Sequence, residues 1–310
     1  MRRFFLKSAI FLLLLAALVL PVLKGASHSF VDLFYTKFTQ PARSLVAGSS
    51  RAAQGLDPAL VGADAGCEGP FLNFAFTNAN SPYGPVYFSA IQRKVPRDTR
   101  DGLFILEVNP LMISINEKEK EDEAHFRENG LTLDRQLWFN TEPNYAYLLH
   151  NYRQPLYRLL LKKDGRNFQT LHGNGFLEQR LAMDSASVAA RKKQRLDEYT
   201  GVFKRNRESQ LRLEWLQRTA AWLREHGRVV LLRMPTSPEM SAMETAYMPE
   251  FDARMVKLAT AVNANYINLI SESSALETTD GNHLSIDSAR LFSKMLNARL
   301  RSPAPDFTRP

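Results

Sequence analysis

Apolar positions in this chain gather into one long run near the start and several short ones after it. The long run, AIFLLLLAALVLPVL from Ala9 to Leu23, holds fifteen residues without a charge, with Arg2, Arg3 and Lys7 before it and Lys24 after it. Phe4 to Leu23 makes 20 residues, about the length of helix that crosses a hydrocarbon core, though Lys7 and Ser8 interrupt it. Residues 1–24 read as a signal anchor or as a cleavable signal peptide. Gly25 and Ser27 are small enough for a cut, but the A-x-A match is poor, so the uncleaved transmembrane anchor is preferred. Either way, the cations at the front hold the N-terminus inside and send everything after Lys24 across the membrane. Residues 25–42 read as a juxtamembrane linker.

From residue 43 the pattern changes. Five short apolar runs follow: SLVAG (Ser44–Gly48), FLNFAF (Phe71–Phe76), GLFILEV (Gly102–Val108), RVVLLRM (Arg228–Met234) and ANYINLI (Ala264–Ile270). They are continuous rather than alternating, as expected of strands buried on both faces. Helical spacing separates them in VYFSAIQRK (Val86–Lys94), in Glu208–His226 ahead of Gly227, and in Ser285–Leu300. The pattern predicts an α/β domain over 43–310, built on a parallel sheet with helices on both faces.

Residues 111–207 are too long for a simple crossover and are expected to be a mostly helical insertion between strands three and four. Within it, EKEKEDEAHFREN (Glu117–Asn129) reads as a mixed-sign, solvated helix face. The aromatics of Trp138–Tyr157 either pack the insertion on the sheet or stack on sugar rings, and packing is favoured. RKKQR (Arg191–Arg195) and KRNR (Lys204–Arg207) read as solvated helix, with anionic lipid or polysaccharide as the lesser reading. LHGNGF (Leu171–Phe176) reads as a turn.

Composition narrows the class. At 45% hydrophobic and 23% charged, the chain is neither fibrous nor low-complexity. Its net charge of +8 suggests nucleic acid until it is located: four of those charges lie before residue 26, where there is no acid. The remaining surface gives no reason to expect a nucleic-acid partner. The single cysteine, Cys67, excludes an internal disulfide and a cysteine-only zinc site. No phosphate-binding glycine loop, dinucleotide fingerprint or H-E-x-x-H occurs, so neither a cofactor nor a metal is expected.

Candidate chemistry lies at the two ends of the domain. Ser49-Ser50 directly follows the first strand at a helix start, the edge of an open parallel sheet where reactive groups gather. There a hydroxyl gains from amide N–H groups that can hold an oxyanion, although serine at a helix start is commonly only a cap. Asp280-Gly281-Asn282-His283-Leu284 precedes the last helix. An Asp three residues before a His on one tight loop can fix the imidazole's tautomer and stabilise its charged form, as a hydroxyl nucleophile requires.

G-S-S-R after strand one, Asn109 in E-V-N-P after strand three, and D-G-N-H-L before the final helix occur in one order. In this the chain resembles the SGNH, or GDSL-like, hydrolase superfamily, in its membrane-anchored extracytoplasmic form. The resemblance covers most of residues 43–300 through short blocks, leaving the insertion unmatched, and implies a three-layer, flavodoxin-like parallel sheet. It assigns Ser50 as nucleophile, with Ser49 where the family usually has Asp, His283 as base and Asp280 as acid. Asn109 and Asn78 become oxyanion donors, Asn78 standing in TNANSPYG where the family presents a Gly.

The implied activity is that of a serine esterase or O-acyltransferase acting on cell-envelope glycans through an acyl-enzyme. Its partners would be an acyl donor, a glycan acceptor and a multi-span membrane acyl carrier. The chain would be a single-pass protein of the cytoplasmic membrane with its domain on the periplasmic side. The alternative is a catalytically silent SGNH-like domain that binds an envelope polysaccharide or scaffolds a membrane partner.

Overall fold

The computed structural model describes residues 1–25, 34–63, 69–77, 81–151 and 168–301. Helix α1 (Arg2–Gly25) is, among these, the one helix long and apolar enough to cross a membrane. Most of its side chains are exposed, but Leu23 is buried in the domain's core and Val19 and Val22 pack against it. A short helical turn at Tyr35–Phe38 is also buried, so the folded domain begins before residue 43 rather than after a linker.

The first half of the domain supplies strand β1 (Ser44–Ala47), the short helices α2 (Ser50–Gly55) and α3 (Pro58–Val61), strand β2 (Phe71–Asn73), helix α4 (Pro85–Lys94) and strand β3 (Gly102–Glu107). All four residues of β1 and all six of β3 are buried, which explains the unbroken apolar text.

The insertion differs from expectation. Strand β4 (Ser114–Asn116) opens it; helices α5 (Thr132–Arg135) and α6 (Tyr145–Asn151), the hairpin β5 (Gln169–Leu171) and β6 (Leu177–Gln179), helix α7 (Ser185–Arg205) and strand β7 (Asn206–Glu208) follow. Among the described residues, α7 is its one long helix. β4 and β7 pair antiparallel, Ser114 opposite Glu208, and so clamp the two ends of the insertion together. The turn of the β5–β6 hairpin shields the free edge of β2, where Asn73 N–H donates to the Asn174 carbonyl at 2.8 Å.

Residues 117–129 hold a single helical turn, Glu123–His125, because their acids are engaged elsewhere. Glu121 pairs with Arg207 and accepts from Ser209 Oγ, Glu123 accepts from Trp215 Nε1, and Glu128 forms a buried pair with Arg212. Among the aromatics, Phe139 and Tyr147 are buried, as packing requires, and the reading of residues 152–157 lies outside the described residues.

Helix α8 (Gln210–Arg224), strand β8 (Gly227–Arg233), helices α9 (Pro238–Tyr247) and α10 (Phe251–Ala261), strand β9 (Asn265–Asn268) and helix α11 (Ile286–Arg301) complete the domain. Five parallel strands form one sheet in the order β2-β1-β3-β8-β9, with Val46 opposite Ile105 and Ile105 opposite Val230. Successive residues feed opposite layers. Leu45, Phe104, Leu106 and Leu231 pack with α4, α8 and α10, while Val46, Ile105, Val230 and Leu232 pack with α2, α3 and α11. The chain leaves β1 toward β2 on one side and reaches β3 on the other, so a crevice opens at their carboxyl ends.

Candidate active site

That crevice holds the residues at issue. β1 ends at Gly48, where an added Cβ would lie 2.6 Å from Glu107 Cβ, so glycine is what lets the strand end press against β3. Ser49 then caps α2. Its N–H donates to Glu107 Oε2 at 2.7 Å and its hydroxyl accepts from Arg51 N–H at 3.2 Å. The capping role therefore belongs to Ser49, and Ser50, one residue on, is half-buried at the first position of α2. Its amide is among those a helix start leaves without an intrahelical acceptor.

Ser50 Oγ lies 2.9 Å from His283 Nε2, across 233 residues of sequence. His283 Nδ1 lies 2.9 Å from Asp280 Oδ2. Asp280 Oδ1 accepts the N–H groups of Asn282 and His283, each at 2.9 Å. Gly281, at φ +82°, makes that tight loop with a backbone conformation L side chains rarely adopt. The loop is further held by Ser237 N–H on the Gly281 carbonyl at 2.8 Å, which gives the Pro235–Pro238 turn its place beside the site. Burial pushes the Asp280 carboxyl upward, but bonds and charge from His283 together with the two amides outweigh it and hold the group well below the usual carboxylate range. An ionised Asp280 fixes the proton on Nδ1 and leaves Nε2 as the acceptor facing Ser50 Oγ.

Four contributors escaped the sequence reading. Arg195, on α7, donates through Nε to Asp280 Oδ2 at 3.0 Å, so part of the supposed solvated basic run is an arm of this site. Arg191, one turn earlier, donates to the Thr279 carbonyl at 2.9 Å. Their i, i+4 spacing was the available signal. Asn282 presents Nδ2 3.2 Å from His283 Nε2, because its Oδ1 accepts from Arg51 Nε at 2.9 Å. Arg51 is itself fixed by buried Glu244 at 2.6 Å.

Glu107 is the fourth. Fully buried, it takes Asn109 Nδ2 at 2.6 Å on Oε1 and Ser49 N–H on Oε2. Buried Asn109 thus places one amide hydrogen on Glu107, while its Oδ1 accepts from Leu111 and Met112 N–H at 3.1 and 3.3 Å. Asn78 lies outside the described residues.

Among the described residues, no group of three or more His, Cys, Asp or Glu side chains is disposed to hold a metal ion. A hydroxyl, an imidazole and an ionised carboxylate in series form a proton path suited to nucleophilic attack on an acyl carbon. Neither a known protein family nor a curated protein matches the chain.

Proposed function

We propose that this chain is a membrane-anchored, extracytoplasmic serine acyl-transfer enzyme of SGNH type, an esterase or an O-acyltransferase acting on envelope glycans. The observation that carries the reading is the Ser50–His283–Asp280 series, each link at 2.9 Å. The sheet order supports it, since 2-1-3-4-5 for successive strands is the flavodoxin-like arrangement with its ligand crevice at the β1/β3 switch. Helix α1, with Arg2, Arg3 and Lys7 ahead of its apolar stretch, supports an anchor that leaves the domain outside.

In this mechanism Ser50 Oγ attacks the acyl carbonyl while His283 Nε2 takes its proton. The tetrahedral oxyanion is met by the Ser50 amide and Asn109 Nδ2. Collapse expels the donor's alcohol or thiol, which takes the proton from His283, and leaves an acyl ester on Ser50. A second hydroxyl, from a sugar or from water, then gives its proton to His283 as it attacks the ester, and collapse releases Ser50 Oγ, which takes that proton back, with the acyl group now on the acceptor.

Labelling with a fluorophosphonate tests the reading, because only an activated hydroxyl reacts readily. The intact chain should label at Ser50, and Ser50→Ala should abolish both labelling and hydrolysis of an acetyl phenol without loss of the folded state. Ser49→Ala should keep most of the activity. Equal activity in wild type and Ser50→Ala would overturn the assignment. A silent, glycan-binding domain is the second reading, favoured by the engagement of Asn109 with Glu107; it requires glycan binding without any labelling.

A further inference from the structure

Beside the Asp280–His283 loop lies a cleft of about 260 Å³ with Gln54 on one side, Gln179 at the end of β6, and Arg191, Gln194, Arg195 and Glu198 along α7. Gln54 is four residues after Ser50 in α2, so the two side chains share one helix face. Its side chain forms part of the cleft wall and carries both a donor and an acceptor. The opposite wall is prepared rather than loose. Gln194 Nε2 donates to Glu198 Oε1 at 3.0 Å, Arg195 Nη1 to Glu198 Oε2 at 2.8 Å, and Arg191 Nε to the Thr279 carbonyl at 2.9 Å. Leu181 is the one apolar side chain in the lining.

Resting on the acyl-transfer reading, we infer that this cleft is the acceptor subsite, that it takes a polyhydroxylated sugar, and that the Gln54 carboxamide bonds a hydroxyl neighbouring the one that attacks. The second half-reaction requires the attacking hydroxyl to reach His283 Nε2, and His283 and Asp280 themselves form part of the cleft wall. Carboxamides and guanidinium groups match sugar hydroxyls, which both donate and accept, and such a wall suits an acyl chain poorly. The volume falls below the ~300–1,000 Å³ usual for drug-sized ligands, which fits a single sugar ring rather than a long segment. A ring seated there displaces water and turns hydrolysis into transfer.

The experiment uses the full chain in detergent, an acetyl phenol as donor, and methyl glucoside, methyl galactoside, methyl N-acetylglucosaminide and methanol as acceptors. The readout is the partition of acetyl between acceptor and water. This ratio is set after the acyl-enzyme forms and so is independent of the acylation rate. At least one glycoside should outcompete methanol, and Gln54→Leu and Gln54→Ala should each lower that partition about three- to tenfold, roughly the worth of one hydrogen bond. Binding of the same glycosides, followed by ligand-observed NMR, should weaken in parallel. Wild-type partition and binding in both variants, or no glycoside better than methanol, would overturn the subsite. Absence of Ser50 labelling with glycoside binding still dependent on Gln54 would instead overturn the acyl-transfer reading and leave the subsite standing.

Discussion

Arg195 illustrates how a side chain far away in sequence reaches the site. Its guanidinium and the imidazole share Asp280 Oδ2, at 3.0 and 2.9 Å, so the carboxylate's charge is divided between two partners. A cation beside that carboxylate opposes the protonated imidazole that attack must generate. Arg195→Gln should therefore raise the rate of Ser50 labelling, and an unchanged or lower rate would show that the guanidinium only props the loop. Asp280 itself should not titrate in the functional range. Its carboxyl is held below the ordinary value, so its contribution to stability is present above that value and lost only in stronger acid. Asp280 and His283 were legible in the sequence because their bond is local, three residues long. Arg195, Asn282 and Glu107 were not, because their decisive partners lie 85, 231 and 58 residues away.

Among the elements, the junction of β1 with α2 carries the most consequence. Gly48 is the point at which the strand end touches Glu107, and the glycine's missing side chain is what leaves room for the carboxylate that holds Ser49 N–H. Gly48→Ala should displace Glu107, destabilise the domain by about 1–3 kcal/mol as overpacking does, and reduce labelling at Ser50 more than the stability loss explains. A thermal melt combined with labelling of the folded fraction separates the two effects. The five strands were legible as apolar runs because the sheet is covered on both faces, although FLNFAF yields only three strand residues before the chain turns toward the crevice. The insertion was not legible. Its order rests on pairings such as β4 with β7 and Glu128 with Arg212, which local periodicity does not encode.

Across the whole molecule, two buried lysines join the sheet to its surroundings. Lys37 Nζ donates to the Asn73 and Gly175 carbonyls at 2.6 and 2.7 Å, and Lys94 Nζ to the Phe139 carbonyl and Asn140 Oδ1 at 2.7 and 3.0 Å. Burial pushes both ammonium groups down to about 7. An unfolded lysine keeps its proton to about pH 10.4, so between roughly pH 7 and 10 the unfolded chain binds more protons and stability should rise with pH. Thermal melts across that range should show the rise, with a shallower slope in Lys37→Met; equal slopes would mean that Lys37 stays charged when buried.

The end of α1 has a consequence for reach. Because Leu23 belongs to the same apolar core as Tyr35 and Phe38, the carboxyl end of α1 takes part in the globule's own packing. With that helix in a bilayer, the globule would sit against the lipid surface, and whatever enters the crevice would have to do so close to the membrane.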